Sequence, residues 1–340
     1  MNKNIKVTFV IPVYNSEKTI DIAINSILNQ SYSKIELIVV NDGSTDNTRK
    51  VLDKYSKNKN VKIYHKTNHG PSWCRNFAIN QASGDFVAFC DGDDYIDTDI
   101  VSKFVELEKQ NQYKYDVVLF KTNKVIDDTI IDNKKEFESF EFSSEDREIL
   151  IDSIYNKFLK YNHLVGFDGI CGKFISLDLL KENKIEYPEN ILRFEDAYFC
   201  KKVYEKANKI YYLNYLGYYY VKNEDSLCHR YDKNAPKLFL DALLKLGENN
   251  YKNNDFYIKT MTTLTECEDK YFLNTNNKKS WNKKISEFKN MLKNDIYYNA
   301  IKNINFKSIP LHYKGEVILL RLHFYSLYMF IKKIHLSKNK

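Results

Sequence analysis

The chain has 340 residues and a net charge of +7, and 43% of its residues are hydrophobic. This composition excludes a disordered chain and supplies enough apolar surface for one large domain or two modest ones. The six cysteines include no Cys-x-x-Cys pair, which argues against a zinc cluster or disulfide framework and favours a reducing compartment. Residues 1–20 lack a signal-peptide pattern and no long uncharged apolar stretch exists, so we expect no membrane span.

The first 120 residues alternate between patterns typical of strands and of helices. Strands are predicted at 7–11, 36–40, 61–65, 86–90 and 116–120, and helices from about Ser16, Asp46, Pro71 and Asp97. This alternation predicts a mostly parallel, doubly wound sheet, whose ligands bind at the carboxyl ends of the strands. We therefore expect 12–15, Asp42 and 91–94 to share one edge of the sheet. Residues 121–145 read as an irregular loop, and 233–340 as mostly helical.

Asp91-Gly92-Asp93-Asp94 follows the fourth predicted strand and places three carboxylates in four residues. Carboxylates at the end of a buried strand require a positive partner, and Mg²⁺ and Mn²⁺ prefer oxygen ligands of this kind. An Asp-x-Asp pair at such a position suggests a metal-bound diphosphate. The alternative is a solvated acidic turn that caps the helix predicted from Asp97.

Four motifs in series carry a resemblance to a known family. They are Val10–Asn15, Val40–Asp46, Asn68-His69-Gly70 with Arg75-Asn76, and Asp91–Asp94. Their order and spacing resemble glycosyltransferase family 2, the inverting nucleotide-sugar transferases with a GT-A fold. The resemblance is dense over 5–100 and thinner to about 230. It implies a nucleotide-sugar-binding part in 1–120, an acceptor and catalytic-base part in 121–230, and a helical C-terminal region with a basic amphipathic tail in 231–340.

The resemblance also implies roles for residues of the first part. In this family the backbone after the first strand and the Asp of the Asp-Gly-Ser turn hold uracil, Asp91-Gly92 lies at the ribose and Asp93 binds the metal. The uracil-binding positions are Pro12, Val13, Tyr14 and Asp42. Glu17 matches a position near the nucleotide, or is simply a first-turn acid favoured by the helix dipole. Arg75 faces the diphosphate or the aspartate cluster, or else forms a structural salt bridge.

The catalytic base is expected in Arg193–Phe199, which resembles the Glu-Asp motif of the family. Inverting transfer needs a carboxylate within reach of the acceptor hydroxyl, and the resemblance assigns this role to Asp196, with Glu195 beside it. Alternatively, both are only acids at a helix N-terminus. Lys173 is expected near the diphosphate or acceptor. His229 is a surface histidine or, as in some relatives, part of the metal shell.

The C-terminal tail is strongly basic, because 311–340 hold six Lys or Arg against one Glu. Within it, 317–331 predict one helix that is apolar nearly all round. Two interpretations stay open for 314–340: an interfacial helix on an anionic cytoplasmic leaflet, or a helix packed on the catalytic domain.

Together these features predict a metal-dependent inverting glycosyltransferase. It would use Mn²⁺ or Mg²⁺ and a UDP-sugar donor, and would transfer to a hydroxyl of a glycan or lipid-linked oligosaccharide. The resemblance implies a role in bacterial surface polysaccharide synthesis, such as capsule or lipooligosaccharide, at the cytoplasmic side of the membrane, and we expect no nucleic-acid partner. A sugar nucleotidyltransferase would carry a Gly-rich loop where this chain has 12–15. An inactive nucleotide- or glycan-binding scaffold is disfavoured by the intact Asp91, Asp93 and Asp196.

Overall fold

A ten-stranded sheet organises the N-terminal two thirds of the protein. The computed structural model describes residues 4–112, 115–127, 129–131, 138–159, 166–222, 231–248 and 252–338. The strands are β1 Val7–Val13, β2 Ile35–Asp42, β3 Val61–Lys66, β4 Phe86–Phe89, β5 Tyr95–Ile96, β6 Val117–Ile126, β7 Thr129–Ile131, β8 Phe140–Glu141, β9 Lys173–Ser176 and β10 Ile210–Val221. Their order is β3-β2-β1-β4-β9-β6-β10-β5, with β7 on β6 and β8 on β10.

The parallel half of this sheet is the part that the local pattern predicted. Strands β1, β2, β3 and β4 pair in parallel, and nearly every residue of β1 and β2 is buried. Strand β9 then pairs antiparallel with both β4 and β6. Because β1, β2 and β4 are parallel neighbours, their carboxyl ends meet at one edge, as predicted.

Up to residue 222, the described helices are α1 Ile20–Leu28, α2 Thr48–Asp53, α3 Pro71–Gln81, α4 Ile100–Gln110, α5 Ser144–Ser153, α6 Leu177–Glu182 and α7 Glu195–Lys206. Three of them begin later than predicted, since α1 starts at Ile20, α2 at Thr48 and α4 at Ile100. The carboxylate of Asp46 accepts hydrogen bonds from the amides of Glu17 and Thr48, at 3.1 and 2.9 Å, which starts α2 at Thr48. Asp97 instead binds β10, through its own amide and through the hydroxyl of Tyr215, so α4 starts at Ile100.

The prediction of an irregular loop at 121–145 is wrong for much of its described part. Strand β6 continues to Ile126 because it pairs with β10 along its whole length, and β7, β8 and α5 follow. Lys121 and Asn123 are buried within this pairing. These polar residues interrupt the hydrophobic pattern of β6, so that pattern did not predict a strand there.

The described residues from 231 onward are mostly helical, as expected. The helices are α8 Ala235–Leu246, α9 Asn254–Cys267, a π-helical turn Glu268–Phe272, α10 Trp281–Met291, α11 Asp295–Asn303, a 3₁₀ turn Phe306–Ser308, α12 Leu311–Arg321 and α13 Tyr325–Lys338. The expected single helix over 317–331 is wrong, since the chain turns at His323. In the described part of the chain, no helix combines the length and apolar character of a membrane span. His229 lies outside the described residues.

The chain divides into two compact units. The first draws its described residues from Met1–Ile154, Lys160–Asn190 and Glu195–Lys222, and so contains the whole sheet. The second draws its described residues from Tyr155–Leu159, Ile191–Phe194 and Asn223–Lys340, and contains α8 to α13.

Candidate functional site

The loops that follow β1, β2 and β4 are tied together by side-chain hydrogen bonds. Asn15, at φ 51°, accepts from the amide of Thr45 at 2.8 Å, and its own amide donates to the Ser44 hydroxyl at 3.0 Å. The Thr19 hydroxyl donates to the carbonyl of Gly92 at 2.8 Å. The structure therefore brings the predicted motifs of the first, second and fourth strands together in the first unit.

The residues after β1 differ in their exposure. Val13 is buried and Pro12 half-buried, whereas Tyr14 leaves 50% of its surface exposed. An exposed ring beside a backbone turn is suited to contact with a planar base. Glu17 accepts from both the amide and the side-chain nitrogen of Asn47 at 2.8 Å, and so holds the loop that follows β2.

Asp42 is buried at the end of β2 and organises the start of α3. Its two carboxylate oxygens accept from the amides of His69 and Gly70, at 2.7 and 2.9 Å. The adjacent Gly43 has φ 75°, and a Cβ there would lie 2.9 Å from the amide nitrogen of Asn68. These contacts explain why Asn68-His69-Gly70 accompanies the Asp-Gly turn. They also set the position of α3, which carries Arg75.

Arg75 connects the two acidic motifs of the site. Its guanidinium is buried and donates to Asp91 Oδ1 and to Asp196 Oδ1, each at 3.2 Å. It also lies over the ring of Tyr187, 5.2 Å from the centroid. Burial works against the charged form, but Asp196 and Asp91 hold the pKa of Arg75 well above its ordinary value. One cation thus joins residues 91 and 196, which are far apart in sequence.

Asp196 and Glu195 are the first residues of α7, where carboxylates are favoured by the helix dipole. Burial raises the pKa of Asp196 to about 7, against the opposing charge of Arg75 and with the repulsion of Glu195. The side chain of Asp196 remains 29% exposed. A carboxylate with these properties can exchange a proton near neutral pH, as a general base requires.

The three aspartates after β4 have different environments. Asp94 is buried and accepts from the Tyr218 hydroxyl at 2.6 Å and from the amide of Val221 at 2.9 Å. Burial raises the pKa of Asp94 to about 8. Asp91 is 38% exposed and Asp93 is exposed. Asp94 therefore supports the site through β10, whereas Asp91 and Asp93 present carboxylates outward.

The donor set fits a hard divalent cation. One oxygen each of Asp91 and Asp94 and the sulfur of Cys171 lie within 4.8 Å of one another. Burial and the nearby carboxylates raise the pKa of the Cys171 thiol well above its ordinary value. The carboxylate oxygens of Asp91 and Asp94 are ligands of the kind that Mg²⁺ and Mn²⁺ prefer. Asp93, the residue expected to bind the metal, is exposed and does not belong to this group.

Two lysines of the first unit, Lys173 and Lys66, have partners within that unit. The Lys173 ammonium is buried and donates to the carbonyls of Gly166, Gly169 and Cys171, so it holds the turn before β9. Lys66 lies over the ring of Phe77, 4.4 Å from the centroid.

Three further residues, to which no role was assigned from the sequence, complete the site. Tyr187 stacks on Phe199 at 4.0 Å between centroids and supports Arg75 from below. Asn76 fixes the backbone of Tyr187 with hydrogen bonds of 2.7 and 3.0 Å. Tyr218 bridges the amide of Asp91 and the carboxylate of Asp94. The Arg75-Asn76 pair was the one available clue, because its second member positions the ring on which the first rests.

Comparison with known proteins places this architecture. Residues 8–178 match the model of glycosyl transferase family 2. A poly(ribitol-phosphate) beta-glucosyltransferase of Bacillus spizizenii is 34% identical over 65% of this chain and 33% of its own length. The poly(ribitol-phosphate) beta-N-acetylglucosaminyltransferase TarS of Staphylococcus aureus is 32% identical over 65% of this chain and 36% of its own length. The chain spans about a third of the length of these relatives.

Solved structures agree on the fold. The crystal structure of S. aureus TarS residues 1–349 in complex with UDP-GlcNAc has a TM-score of 0.58 and 24% identity, and the match covers 98% of this chain and 92% of that one. The full TarS structure has a TM-score of 0.61 at 23% identity, covering 96% of this chain and 54% of that one. The predicted fold, an α/β domain of GT-A type followed by a helical region, is confirmed. The chain belongs to glycosyl transferase family 2, as its motifs predicted.

Proposed function

We propose that the chain is a metal-dependent inverting glycosyltransferase that moves a sugar from a UDP-sugar to an acceptor hydroxyl. The observation that carries the proposal is the guanidinium of Arg75, held at 3.2 Å from both Asp91 and Asp196. It couples a carboxylate of the donor side to the carboxylate best suited to act as base. A purely structural salt bridge would not need a partly exposed partner with a pKa near neutrality.

The donor would bind at the edge formed by the loops after β1, β2 and β4. In this proposal Pro12, Val13, Tyr14 and Asp42 hold the uracil, Glu17 supports the neighbouring loop, and Asp91 and Gly92 meet the ribose. TarS binds UDP-GlcNAc in its crystal structure, which supports a UDP-sugar as donor. Mn²⁺ or Mg²⁺ bound by Asp93, next to Asp91, would neutralise charge on the departing diphosphate.

The chemical step follows from the position of Asp196. The ionised carboxylate accepts the proton of the acceptor hydroxyl, whose oxygen attacks the anomeric carbon. The bond between that carbon and the diphosphate oxygen breaks, UDP leaves, and the configuration inverts. Arg75 keeps Asp196 oriented and favours its ionised form, while Glu195 flanks it at the start of α7. We propose that 1–120 serves the donor and 121–230 the acceptor and base.

The acceptor is proposed to be a hydroxyl of a surface glycan or lipid-linked oligosaccharide. Relatives named for transfer to poly(ribitol-phosphate) support a role in bacterial surface polymers. Capsule and lipooligosaccharide are the proposed pathways, with synthesis at the inner face of the cytoplasmic membrane and peripheral contact through 314–340. No nucleic-acid partner is proposed.

The test is a panel of UDP-sugars offered to the purified protein with Mn²⁺, with release of UDP as the readout. Asp196→Asn should still bind UDP but lose transfer by roughly 10²–10⁴-fold. Glu205→Gln is the matched control, since it lies on the same helix and pairs with Lys201 and Lys202. Near-normal rates in Asp196→Asn would refute the assignment of the base. Tight UDP binding with no donor consumed would indicate a scaffold, and pyrophosphate release from UTP and a sugar phosphate would indicate a nucleotidyltransferase.

A further inference from the structure

Helices α12 and α13 expose large hydrophobic side chains at high density. In the described part of the chain, fifteen large hydrophobic side chains are exposed, and seven of them lie between 311 and 334, a stretch that is under a tenth of the chain. These seven are Leu311, Ile318, Leu322, Phe324, Leu327, Phe330 and Ile334. Concentrated exposure of this kind marks an interaction site, whereas scattered exposed residues need no explanation.

The turn between the two helices presents this surface on a fixed backbone. His323 has φ 61°, and the amides of Phe324 and His323 donate to the carbonyls of Leu319 and Leu320, at 2.9 and 3.1 Å. This is the Schellman arrangement that ends a helix, here with histidine in the position usually taken by glycine. Leu322 and Phe324, on either side of the turn, are 57% and 54% exposed. Their exposure is therefore built into a rigid helix end.

Two shallow depressions share His323 and Tyr325 of the turn in their linings. One, of about 290 Å³, is lined in part by Tyr298, Lys302 and Arg321, and the other, of about 360 Å³, in part by Lys289, Phe324 and Leu327. Among the described residues that line the two depressions, every charged side chain is basic. Arg321 is held in place by the carbonyls at 301 and 302, at 2.7 and 2.9 Å, whereas Lys289 and Lys302 are exposed.

We propose that this surface, the turn with Leu322, Phe324 and Leu327 together with Lys289 and Lys302, docks on an anionic phospholipid membrane; this rests on the proposed peripheral contact of 314–340 and names the side chains and the lipid that form it. The three apolar side chains would enter the boundary between headgroups and acyl chains, and Lys289 and Lys302 would contact the phosphates. Apolar side chains with lysines beside them match the headgroup region of an anionic membrane in both polarity and charge. A second copy of the chain is a poorer occupant, because a two-fold contact buries the same patch of both copies and would bring two sets of like-charged lysines into one interface.

The test uses the full chain and vesicle flotation. Vesicles of phosphatidylcholine alone are compared with vesicles that also contain phosphatidylglycerol, and the wild type should float with the second kind only. Phe324→Ser combined with Leu327→Ser should weaken binding by roughly tenfold or more. Lys289→Ala and Lys302→Ala should each weaken it about fivefold. Ile22→Ser is the matched control, since Ile22 is 58% exposed on α1.

The variants change exposed positions, so each should keep the thermal midpoint of the wild type and its affinity for UDP. Failure of the wild type to float with phosphatidylglycerol vesicles would overturn the inference. Unchanged flotation of the Phe324→Ser/Leu327→Ser variant would do the same. A wild-type dimer that this variant converts to monomer would assign the surface to a second copy. These results do not depend on the donor or on the proposed reaction, so membrane docking and sugar transfer can fail separately.

Discussion

Replacement of Arg75 by methionine should move the pH dependence of sugar transfer toward higher pH. Asp196 must be ionised to accept a proton, and burial already raises its pKa to about 7. Because Arg75 opposes that shift from 3.2 Å, its removal should raise the pKa further. Activity is lost as the pH falls through this pKa, so the acidic limb of the profile should shift upward.

The size of the shift follows from the geometry. At an effective dielectric constant of about 20, two unit charges 3.2 Å apart interact by about 5 kcal/mol, or roughly 4 pKa units. The 29% exposure of Asp196 and the sharing of Arg75 with Asp91 both reduce this value. We therefore expect the midpoint to rise by about 1 to 2 pH units, which corresponds to a ten- to hundredfold loss below the midpoint.

The assay is the pH profile of kcat/KM for the donor, measured by UDP release for wild type, Arg75→Met and Arg75→Lys. The lysine variant keeps a positive charge without the two-pronged contact, so its midpoint should fall between the other two. Circular dichroism and thermal unfolding check that each variant is folded. If Arg75→Met loses activity equally at every pH, or its midpoint falls, Arg75 does not act through the ionisation of Asp196.

Three further predictions concern metal binding, the recognition of uracil and the stability of the second unit. Asp93→Ala should abolish metal-dependent turnover, whereas Asp99→Ala, also exposed in this region, should not; titration with Mn²⁺ compares the two. Asp42→Ala should weaken UDP binding by roughly tenfold or more and loosen the turn at His69. Asp42→Asn keeps an acceptor for the His69 amide. Calorimetry with UDP and with CDP measures the binding of both variants. Glu268→Gln should stabilise the protein by roughly 1–3 kcal/mol at pH 8. Burial raises the pKa of Glu268 to about 8, so the free energy of unfolding of the wild type should decline between about pH 4.5 and pH 8, and that of the variant should not. Urea unfolding at several pH values measures this; the same pH dependence in both proteins would refute the reasoning.

The convergence of the loops after β1, β2 and β4 could be predicted because its information is local. Each loop directly follows a strand with a continuous apolar run, and parallel neighbours bring their carboxyl ends together. Arg75 and Asp42 stood in motifs whose spacing is short. The pairing of Arg75 with Asp91 and Asp196 at once was not predictable, because it depends on where α3 and α7 finally pack.

The errors arose where long-range pairing or packing decided the structure. Strand β9 inserts antiparallel between β4 and β6, and nothing in its four residues announces those neighbours. Strand β6 contains a buried lysine and asparagine, so its pattern resembled a loop. The apolar stretch of 317–331 satisfied a helix throughout, yet His323 adopts a left-handed conformation that only the tertiary structure selects.

The link between Asp94 and β10 has a practical consequence for protein engineering. The hydroxyl of Tyr218 and the amide of Val221 donate hydrogen bonds to the buried side chain of Asp94 in place of water. A truncation near residue 120 would remove both donors and leave the buried acidic group without them. A shortened piece that keeps this arrangement must therefore continue through Val221.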